Sequence, residues 1–190
     1  GITFDLPALR NARWGYGATD QAHHNIVTAD TDVRRTGDAS IKLDTGSGFD
    51  TWLFFPDTKD LALDATRCAS LRFWMRTENK NGWSGDPWII LRDPHARGAR
   101  YDGTRHRLKE TLSDWVEFTL PLDPAATDAL TAAGWKLTVD DGFDWRQIAA
   151  VEVHADTGGY GFLMYLDDMQ FVPAAGQPEL VKKPAKDKEA

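Results

Sequence analysis

The segment SLRFWMRT, from Ser70 to Thr77, decides the fold class because its apolar and polar residues alternate without interruption. Successive side chains of a β-strand point to opposite faces of a sheet, so alternation predicts a half-buried strand. The outward face would then carry a tryptophan between two arginines. The two faces are Leu71, Phe73 and Met75 on one side and Arg72, Trp74 and Arg76 on the other.

Short runs of the same kind, bounded by Gly, Pro, Asn and Asp, recur along the chain and predict an all-β sandwich or barrel of about ten strands. One segment, Ala125–Ala133, is Ala-rich and precedes Gly134, which predicts a single short helix with a glycine C-cap. The predicted strands are Ile2–Asp5, Arg13–Gly17, Asn25–Ala29, Ser40–Asp44, Thr51–Phe55, Ser70–Thr77, Trp88–Arg92, Arg100–Asp102, Trp115–Leu120, Ile148–Ala155 and Gly161–Val172.

Length and composition limit the class of protein. A chain of 190 residues usually forms one domain. Its net charge of −7 gives no support for nucleic-acid binding. The single cysteine excludes an intrachain disulfide, and no apolar run approaches the roughly 20 residues that span a bilayer. We therefore expect neither a nucleic-acid partner nor a membrane partner.

Two segments are distinguished by composition. Residues 1–172 carry the alternating pattern and form the predicted β-sandwich domain. Residues 173–190, PAAGQPELVKKPAKDKEA, are rich in Pro, Ala and Lys and predict a disordered tail or a linker. The N-terminal GITFDLP lacks the basic and apolar regions of a signal peptide, as a mature form or an excised domain also would.

Several predicted strands share an outward face in which tryptophan lies beside Arg, Glu or His. If these strands belong to one sheet, the face is an aromatic platform bordered by hydrogen-bonding groups. A sugar ring stacks its C–H patches on an aromatic face, and its hydroxyls need donors and acceptors. The alternative is that the tryptophans fill the core, as most do. The predicted ligand-binding residues are Arg72, Trp74, Arg76, Trp83, Trp88, Arg92, Tyr101, Glu152 and His154.

The C-terminal segment IAAVEVHADTGGYGFLMYLDDMQF, with Leu166-Asp167-Asp168-Met169 in its last strand, resembles the ending of jelly-roll carbohydrate-binding modules with a galactose-binding-like fold. Phe4-Asp5 and the Gly-x-x-Ser sequence within Arg35–Leu43 look like the first strands of that group. The resemblance spans most of residues 2–172, and its exact family is unassigned. It implies an antiparallel jelly-roll β-sandwich.

The same resemblance implies a structural Ca²⁺ ion near the chain ends, held by an early acidic residue, the loop before the Gly-x-x-Ser strand and a last-strand aspartate. Ca²⁺ takes six to eight oxygen ligands, which clustered carboxylates supply. The alternative is that these residues are solvated surface acids. Mapped onto this sequence, the implied ligands are Asp5, Asp32, Asp38, Asp167 and Asp168.

A non-catalytic module of this group uses one sheet face or the loops at its rim, where Trp83, Tyr101 and Tyr160 are candidates. The resemblance also implies a secreted or periplasmic protein with a glycan ligand, carried in many cases beside a catalytic domain in a longer parent chain. A spacer or protein-interaction module with the same fold is a further alternative, since one fold hosts many functions.

A basic segment between Arg92 and Lys109 suggests an acidic glycan as the ligand, because arginine forks match carboxylate and sulfate geometry. The alternative is that its arginines pair with acids of the protein. Its charged residues are Arg92, Arg97, Arg100, Arg105, Arg107 and Lys109 against Asp93 and Asp102.

Two catalytic alternatives stay open at this point. A polysaccharide lyase needs a base and a group that neutralises a uronate, for which Tyr101, His106, Arg92 and His154 have the right chemistry. A retaining glycosidase needs two carboxylates about 5 Å apart, for which Glu117 and Glu152 have the right outward parity. No diagnostic catalytic motif surrounds either set.

Overall fold

A computed structural model of the protein describes residues 2–3, 14–18, 26–45, 50–78, 87–104, 114–156 and 161–176. These residues form twelve strands, a one-turn 3₁₀ helix at Ala65–Arg67 and a short helix α1 at Thr127–Ala132. The strands are β1 Ile2–Thr3, β2 Gly15–Ala18, β3 Ile26–Asp30, β4 Ser40–Asp44, β5 Asp50–Phe55, β6 Cys68–Glu78, β7 Pro87–Arg92, β8 Gly98–Gly103, β9 Val116–Pro121, β10 Trp135–Val139, β11 Ala150–Asp156 and β12 Leu163–Pro173.

The strands form two antiparallel sheets. Sheet A has the order β3-β4-β12-β6-β9, with β1 also paired to β12, and sheet B has the order β10-β8-β7-β11-β5-β2. The chain changes sheet at several successive strands, since β4 and β6 lie in sheet A while β5 and β7 lie in sheet B. The all-β, antiparallel jelly-roll sandwich predicted from the alternation and the resemblance is confirmed.

The core lies between the two sheets. Leu71, Phe73 and Met75 of β6 are fully buried, as their parity predicted. They belong to one apolar cluster that includes Leu53 of β5 and Ile89 of β7, on the opposite sheet. Burial of this apolar surface is the main favourable term in folding. The apolar face of each strand therefore turns inward, and the alternation of residues decides which side chains point outward.

The predicted strands match the observed ones to within a few residues, and one observed strand was missed. Strand β10 follows Gly134, where Trp135, Leu137 and Val139 alternate with Lys136 and Thr138. That alternation was present in the sequence and would have predicted the strand. The helix is present but shorter than expected, and Gly134 beyond its C-terminus has a φ of 84°.

A β-bulge interrupts β12 where the two aspartates lie. The pairing with β6 shifts register between Asp167 and Gln170, and Asp168 adopts a φ of 50°. An extra residue reverses the alternation locally. Asp167 therefore lies opposite Trp74 on the outer side of sheet A, while Met169 points into the core.

Among the described residues, none of the helices has the length and apolarity that a bilayer crossing requires. Strand β12 ends at Pro173, and the backbone N–H of Ala174 donates to the Arg67 carbonyl. The rest of the predicted tail, residues 177–190, lies outside the described residues. The boundary at residue 172 stays a prediction.

Candidate functional site

The predicted aromatic platform is divided between two sheets. Arg72, Trp74 and Arg76 lie on β6, in sheet A, whereas Trp88 and Arg92 lie on β7, in sheet B. Glu152 and His154 lie on β11, which pairs with β7, and they share the outer face with Trp88 and Arg92. The prediction of one joint surface is therefore wrong. Parity shows that a side chain points outward, but long-range pairing decides from which of the two sheets it points.

On the outer face of sheet A, the Trp74 indole is covered by a cation of the protein itself. The Arg35 guanidinium carbon lies 3.7 Å from the centre of the indole ring. Arg35 Nη1 also donates to Asp168 at 2.6 Å, and Thr36 Oγ1 donates to the same carboxylate. The loop between β3 and β4 is thus fastened over Trp74, which leaves this indole poorly suited to stack on a ligand.

Replacing Arg35 by alanine is expected to lower the free energy of unfolding by about 1 kcal/mol. The variant loses the cation–π contact and a partly exposed ion pair, each of which usually contributes less than about 1 kcal/mol. Urea unfolding measures the change. Arg72→Ala is the matched control, since Arg72 is exposed and donates one hydrogen bond to Gln170. Equal stability of both variants would contradict a fastening role for Arg35.

The implied calcium ligands do not form a cation site among the described residues. Asp167 is buried, and its oxygens accept backbone N–H groups of Arg35, Thr36 and Asp168. Burial raises the pKa of this carboxyl against the lowering effect of those donors. Asp32 and Asp38 are exposed on the loop.

Oxygens that point at N–H groups and a guanidinium are satisfied without a metal, so the described part of the donor set does not fit Ca²⁺. No group of three or more acidic, histidine or cysteine ligands occurs in the described part of the chain. Asp5 lies outside the described residues, and the calcium ion stays a prediction.

The outer face of sheet B carries a row of rings that crosses three neighbouring strands. Trp52 of β5 pairs with His154 of β11, and His154 pairs with Trp88 of β7. At the two ends of the row, Gly17 of β2 lies beside Trp52 and Asp102 of β8 beside Trp88. Cross-strand neighbours on one face are close enough for their side chains to interact.

The three rings stack on one another. The His154 ring centre lies 5.0 Å from that of Trp52, at 20°, and 5.2 Å from that of Trp88, at 19°. Trp52, His154 and Trp88 are called the ring stack from here on. His154 is 5% exposed, whereas both indoles are half-buried and part of each reaches solvent.

Both ends of the ring stack are supported. The Arg100 guanidinium carbon lies 4.6 Å from the Trp88 ring centre, and Arg100 itself pairs with Asp102 at 2.8 Å. A Cβ on Gly17 would lie 2.3 Å from the Trp52 ring, so the indole uses the space that a glycine leaves open. The stack is therefore held in one arrangement by the protein's own residues.

A chain of hydrogen-bonded ionisable side chains runs through the His154 ring. His154 Nδ1 lies 3.2 Å from an Asp50 oxygen, and His154 Nε2 lies 2.7 Å from Glu152 Oε1. Arg92 donates to both Glu152 oxygens, at 2.8 and 3.2 Å. Burial tends to raise the pKa of Glu152, but the hydrogen bonds from His154 and Arg92 hold it below its usual value.

A cleft of about 370 Å³ adjoins the Glu152–Arg92 end of this chain. Its charged walls are largely neutralised by the protein. Asp93 accepts hydrogen bonds from Arg97, including one at 2.7 Å from Nε, and Arg92 also donates to the Ala96 carbonyl. The cleft is lined by Lys59, Arg92, Asp93, Pro94, Ala96, Ala149 and Glu152.

Tyr101 is a correction to the predicted site. Its side chain is fully buried on the inner face of β8, and its hydroxyl donates to the Pro121 carbonyl at 3.0 Å. Burial raises the pKa of this phenol above its ordinary value. Its neighbours Arg100 and Asp102 have the outward parity, so Tyr101 neither lies in a rim loop nor serves as an exposed base.

The predicted carboxylate pair is also not brought together. Glu117 lies on β9, opposite Trp74 in sheet A, whereas Glu152 lies on β11 in sheet B. The core separates the two outer faces, so these carboxylates do not form the pair that a retaining glycosidase needs. Trp83, His106 and Tyr160 lie outside the described residues, and their predicted roles stay predictions.

Three residues of the outer face of sheet B were missed as site candidates: Asp50, Trp52 and Phe54. Their signal was the alternation in DTWLFF, where Thr51, Leu53 and Phe55 are buried and the alternate residues are not. The alternation predicts that these residues face outward, but only the pairing of β5 with β11, and of β11 with β7, brings Trp52 into one row with His154 and Trp88.

Comparisons with known proteins support the fold. No family model matches the chain, and no curated protein matches it significantly. The family 11 carbohydrate-binding module of Clostridium thermocellum, solved with a β-1,3-1,4-mixed-linked tetrasaccharide, is 11% identical, with 85% of this chain and 89% of that one covered and a TM-score of 0.50. The family 30 module of a cellulosomal cellulase from the same organism is 14% identical, with 86% and 92% covered and a TM-score of 0.52.

An exo-β-agarase is 12% identical, with a TM-score of 0.56; the alignment covers 88% of this chain but 24% of the agarase. The matched region is therefore about a quarter of that enzyme. At these identities the likeness shows the fold alone: the chain has the β-sandwich of carbohydrate-binding modules.

Proposed function

We propose that the protein is a non-catalytic carbohydrate-binding module that binds a neutral polysaccharide through the outer face of sheet B. The observation that carries the proposal is the ring stack, with two half-buried indoles supported on both sides and ionic groups beside them. The shared fold with carbohydrate-binding modules supports the same conclusion.

The chemistry of this face suits a sugar. Indoles offer apolar surface to the C–H patches of a pyranose, and the polar groups around them supply partners for hydroxyls. Because the rings and ion pairs are already held by one another, little side-chain freedom is lost on binding. A wet, shallow contact of this kind does not require a deep apolar pocket.

The charges favour a neutral glycan over the acidic one that the basic segment suggested. Arg92 is paired with Glu152, Arg97 with Asp93 and Arg100 with Asp102. A guanidinium already bound to a carboxylate gains little from a second anion, since the first pair would have to be broken. Arg105, Arg107 and Lys109 lie outside the described residues.

We also propose that the protein is exported and works beside a catalytic domain in a longer parent chain. The agarase match supports the proposal of a longer parent chain, because a region similar to this chain accounts for about a quarter of that enzyme. The family 11 module was solved with a β-1,3-1,4-mixed-linked tetrasaccharide, which makes a mixed-linked glucan the first polysaccharide to test.

Native affinity electrophoresis tests the proposal. The protein is run through gels that hold either a β-1,3-1,4-mixed-linked glucan, other neutral polysaccharides or polygalacturonate, with and without chelator, and reducing-end release is assayed in parallel. We expect retardation in at least one neutral gel relative to a gel without polysaccharide, and no released product. Product release would make the protein an enzyme, and no retardation in any gel would favour a spacer module.

A further inference from the structure

We propose that the doubly protonated ring of His154 positions Trp52 and Trp88, so that glycan binding weakens when this ring loses a proton. The inference rests on the proposed function and adds a positioning residue to it. Its basis is the arrangement of charged and aromatic groups around one buried imidazole.

Both nitrogens of the His154 ring face carboxylates. Nε2 lies 2.7 Å from Glu152 Oε1, and Nδ1 lies 3.2 Å from Asp50 Oδ1 and 3.3 Å from Oδ2. A neutral imidazole has one N–H donor and one acceptor lone pair, so it satisfies one carboxylate and turns a lone pair toward the other. Only the imidazolium donates to both.

The faces of the same ring are covered by the two indoles. Indole is the aromatic group that attracts a cation most strongly, because its ring faces are electron-rich. A charged imidazole between two indoles is therefore stabilised from above and below as well as along its edges. The neutral ring loses this attraction on both sides, and the indoles then have less to hold them parallel.

The carboxylate that loses its partner can be identified from the geometry. Glu152 has two further hydrogen bonds from Arg92, whereas the side chain of Asp50 is 23% exposed and its contact with the ring is the longer one. We therefore expect deprotonation at Nδ1, followed by movement of Asp50 away from the ring. Asp50 and Trp52 are on the same strand and face, so Trp52 is the indole most directly affected.

The other charged groups near the ring stack do not reverse this effect. Arg92 of β7 is directed at Glu152, and Arg100 of β8 lies on the far side of Trp88, where Asp102 pairs with it. Around the ring itself, Asp50 and Glu152 are the charged groups within hydrogen-bond distance of its nitrogens.

The pKa of His154 is shifted in the direction that the proposal requires. Burial by itself lowers the pKa of His154, but the hydrogen bonds and charges of Asp50 and Glu152 raise it above its ordinary value. A group with a raised pKa in the folded state stabilises that state below its ordinary pKa and ceases to do so as the pH rises through the raised value. The ring stack is therefore held below the ordinary pKa of histidine and loosened as the pH rises through the raised pKa of His154.

The test follows the His154 ring by ¹⁵N NMR and the indoles by tryptophan fluorescence from about pH 6 to about pH 9, together with the affinity for a β-1,3-1,4-mixed-linked glucan or for whichever neutral polysaccharide retards the protein most. We expect the ring, the fluorescence and the affinity to change with one midpoint above the ordinary histidine range. The affinity should fall about tenfold across it.

Three variants isolate the cause. His154→Phe keeps a ring between the indoles and should abolish the pH dependence, while Asp50→Asn should lower the midpoint. His95→Gln is the control, because His95 is exposed in the β7–β8 turn, and it should leave the profile unchanged.

Retained affinity with no change across this pH range would overturn the inference and leave the proposed function standing. Absence of retardation at every pH would overturn the proposed function instead. The NMR and fluorescence titrations would then still decide whether the charged ring holds the stack.

Discussion

Replacing Trp88 by alanine is expected to reduce the affinity for the retarding polysaccharide by at least about 30-fold while the protein stays folded. Loss of a central aromatic residue in a binding surface typically costs 2 kcal/mol or more. Trp88 contacts both His154 and Arg100, so its removal also leaves the remaining rings without support on one side. Isothermal titration calorimetry measures the affinity, and far-UV circular dichroism checks the fold.

Trp74→Ala is the matched control for this result. Trp74 is also half-buried on a central strand and also lies beside arginines, but it belongs to the outer face of sheet A and is covered by Arg35. We expect its affinity to equal that of the unmodified protein. A larger loss of affinity for Trp74→Ala than for Trp88→Ala would show that the binding surface lies on sheet A and not, as we propose, on sheet B.

Replacing Glu152 by alanine is expected to lower the free energy of unfolding by about 3 kcal/mol, because removal of one partner from a buried ion pair leaves the others uncompensated. Glu152 is 9% exposed and contacts both His154 and Arg92. The alanine variant leaves a buried imidazolium with one carboxylate and a guanidinium with none at that position. Urea unfolding at neutral pH measures the loss.

Glu117→Ala serves as the control, since Glu117 is exposed on the outer face of sheet A. Surface substitutions of this kind usually change stability by no more than about 0.5 kcal/mol. If Glu152→Ala itself fails to fold, Glu152→Gln keeps the shape and one acceptor and should show a smaller loss. Equal unfolding midpoints for the Glu117 and Glu152 variants would contradict a stabilising role for the contacts of Glu152 with His154 and Arg92.

Local patterns were sufficient for much of the fold. The alternation in Ser70–Thr77 correctly assigned six side chains to the core or the outer surface, and the same reasoning placed Glu152 and His154 outward. The resemblance carried by the segment around Asp167 and Asp168 correctly indicated a jelly-roll sandwich. Both signals lie in short segments of the sequence. Within each strand, buried and outward side chains alternate, so a short segment is enough to show the pattern.

The candidate site was less predictable, for reasons that particular residues make clear. Tyr101 is a predicted rim-loop residue, yet it lies on strand β8 and its parity there turns its side chain into the core. Trp74 was selected for its two arginine neighbours on β6, but the residue that covers it, Arg35, comes from a loop distant in the sequence. Contacts between distant segments leave no local pattern.

The sequence by itself determined that the chain is all-β and which side chains of most strands face outward, because both follow from the spacing of apolar residues. The choice of a sandwich came from the resemblance. Only the tertiary structure decided that Trp52, His154 and Trp88 meet in one row while Trp74 lies on the other sheet. Strand pairing joins residues that are far apart along the chain, and its choice depends on the packing of the whole core. The ring stack and its ion pairs exist only once that choice has been made.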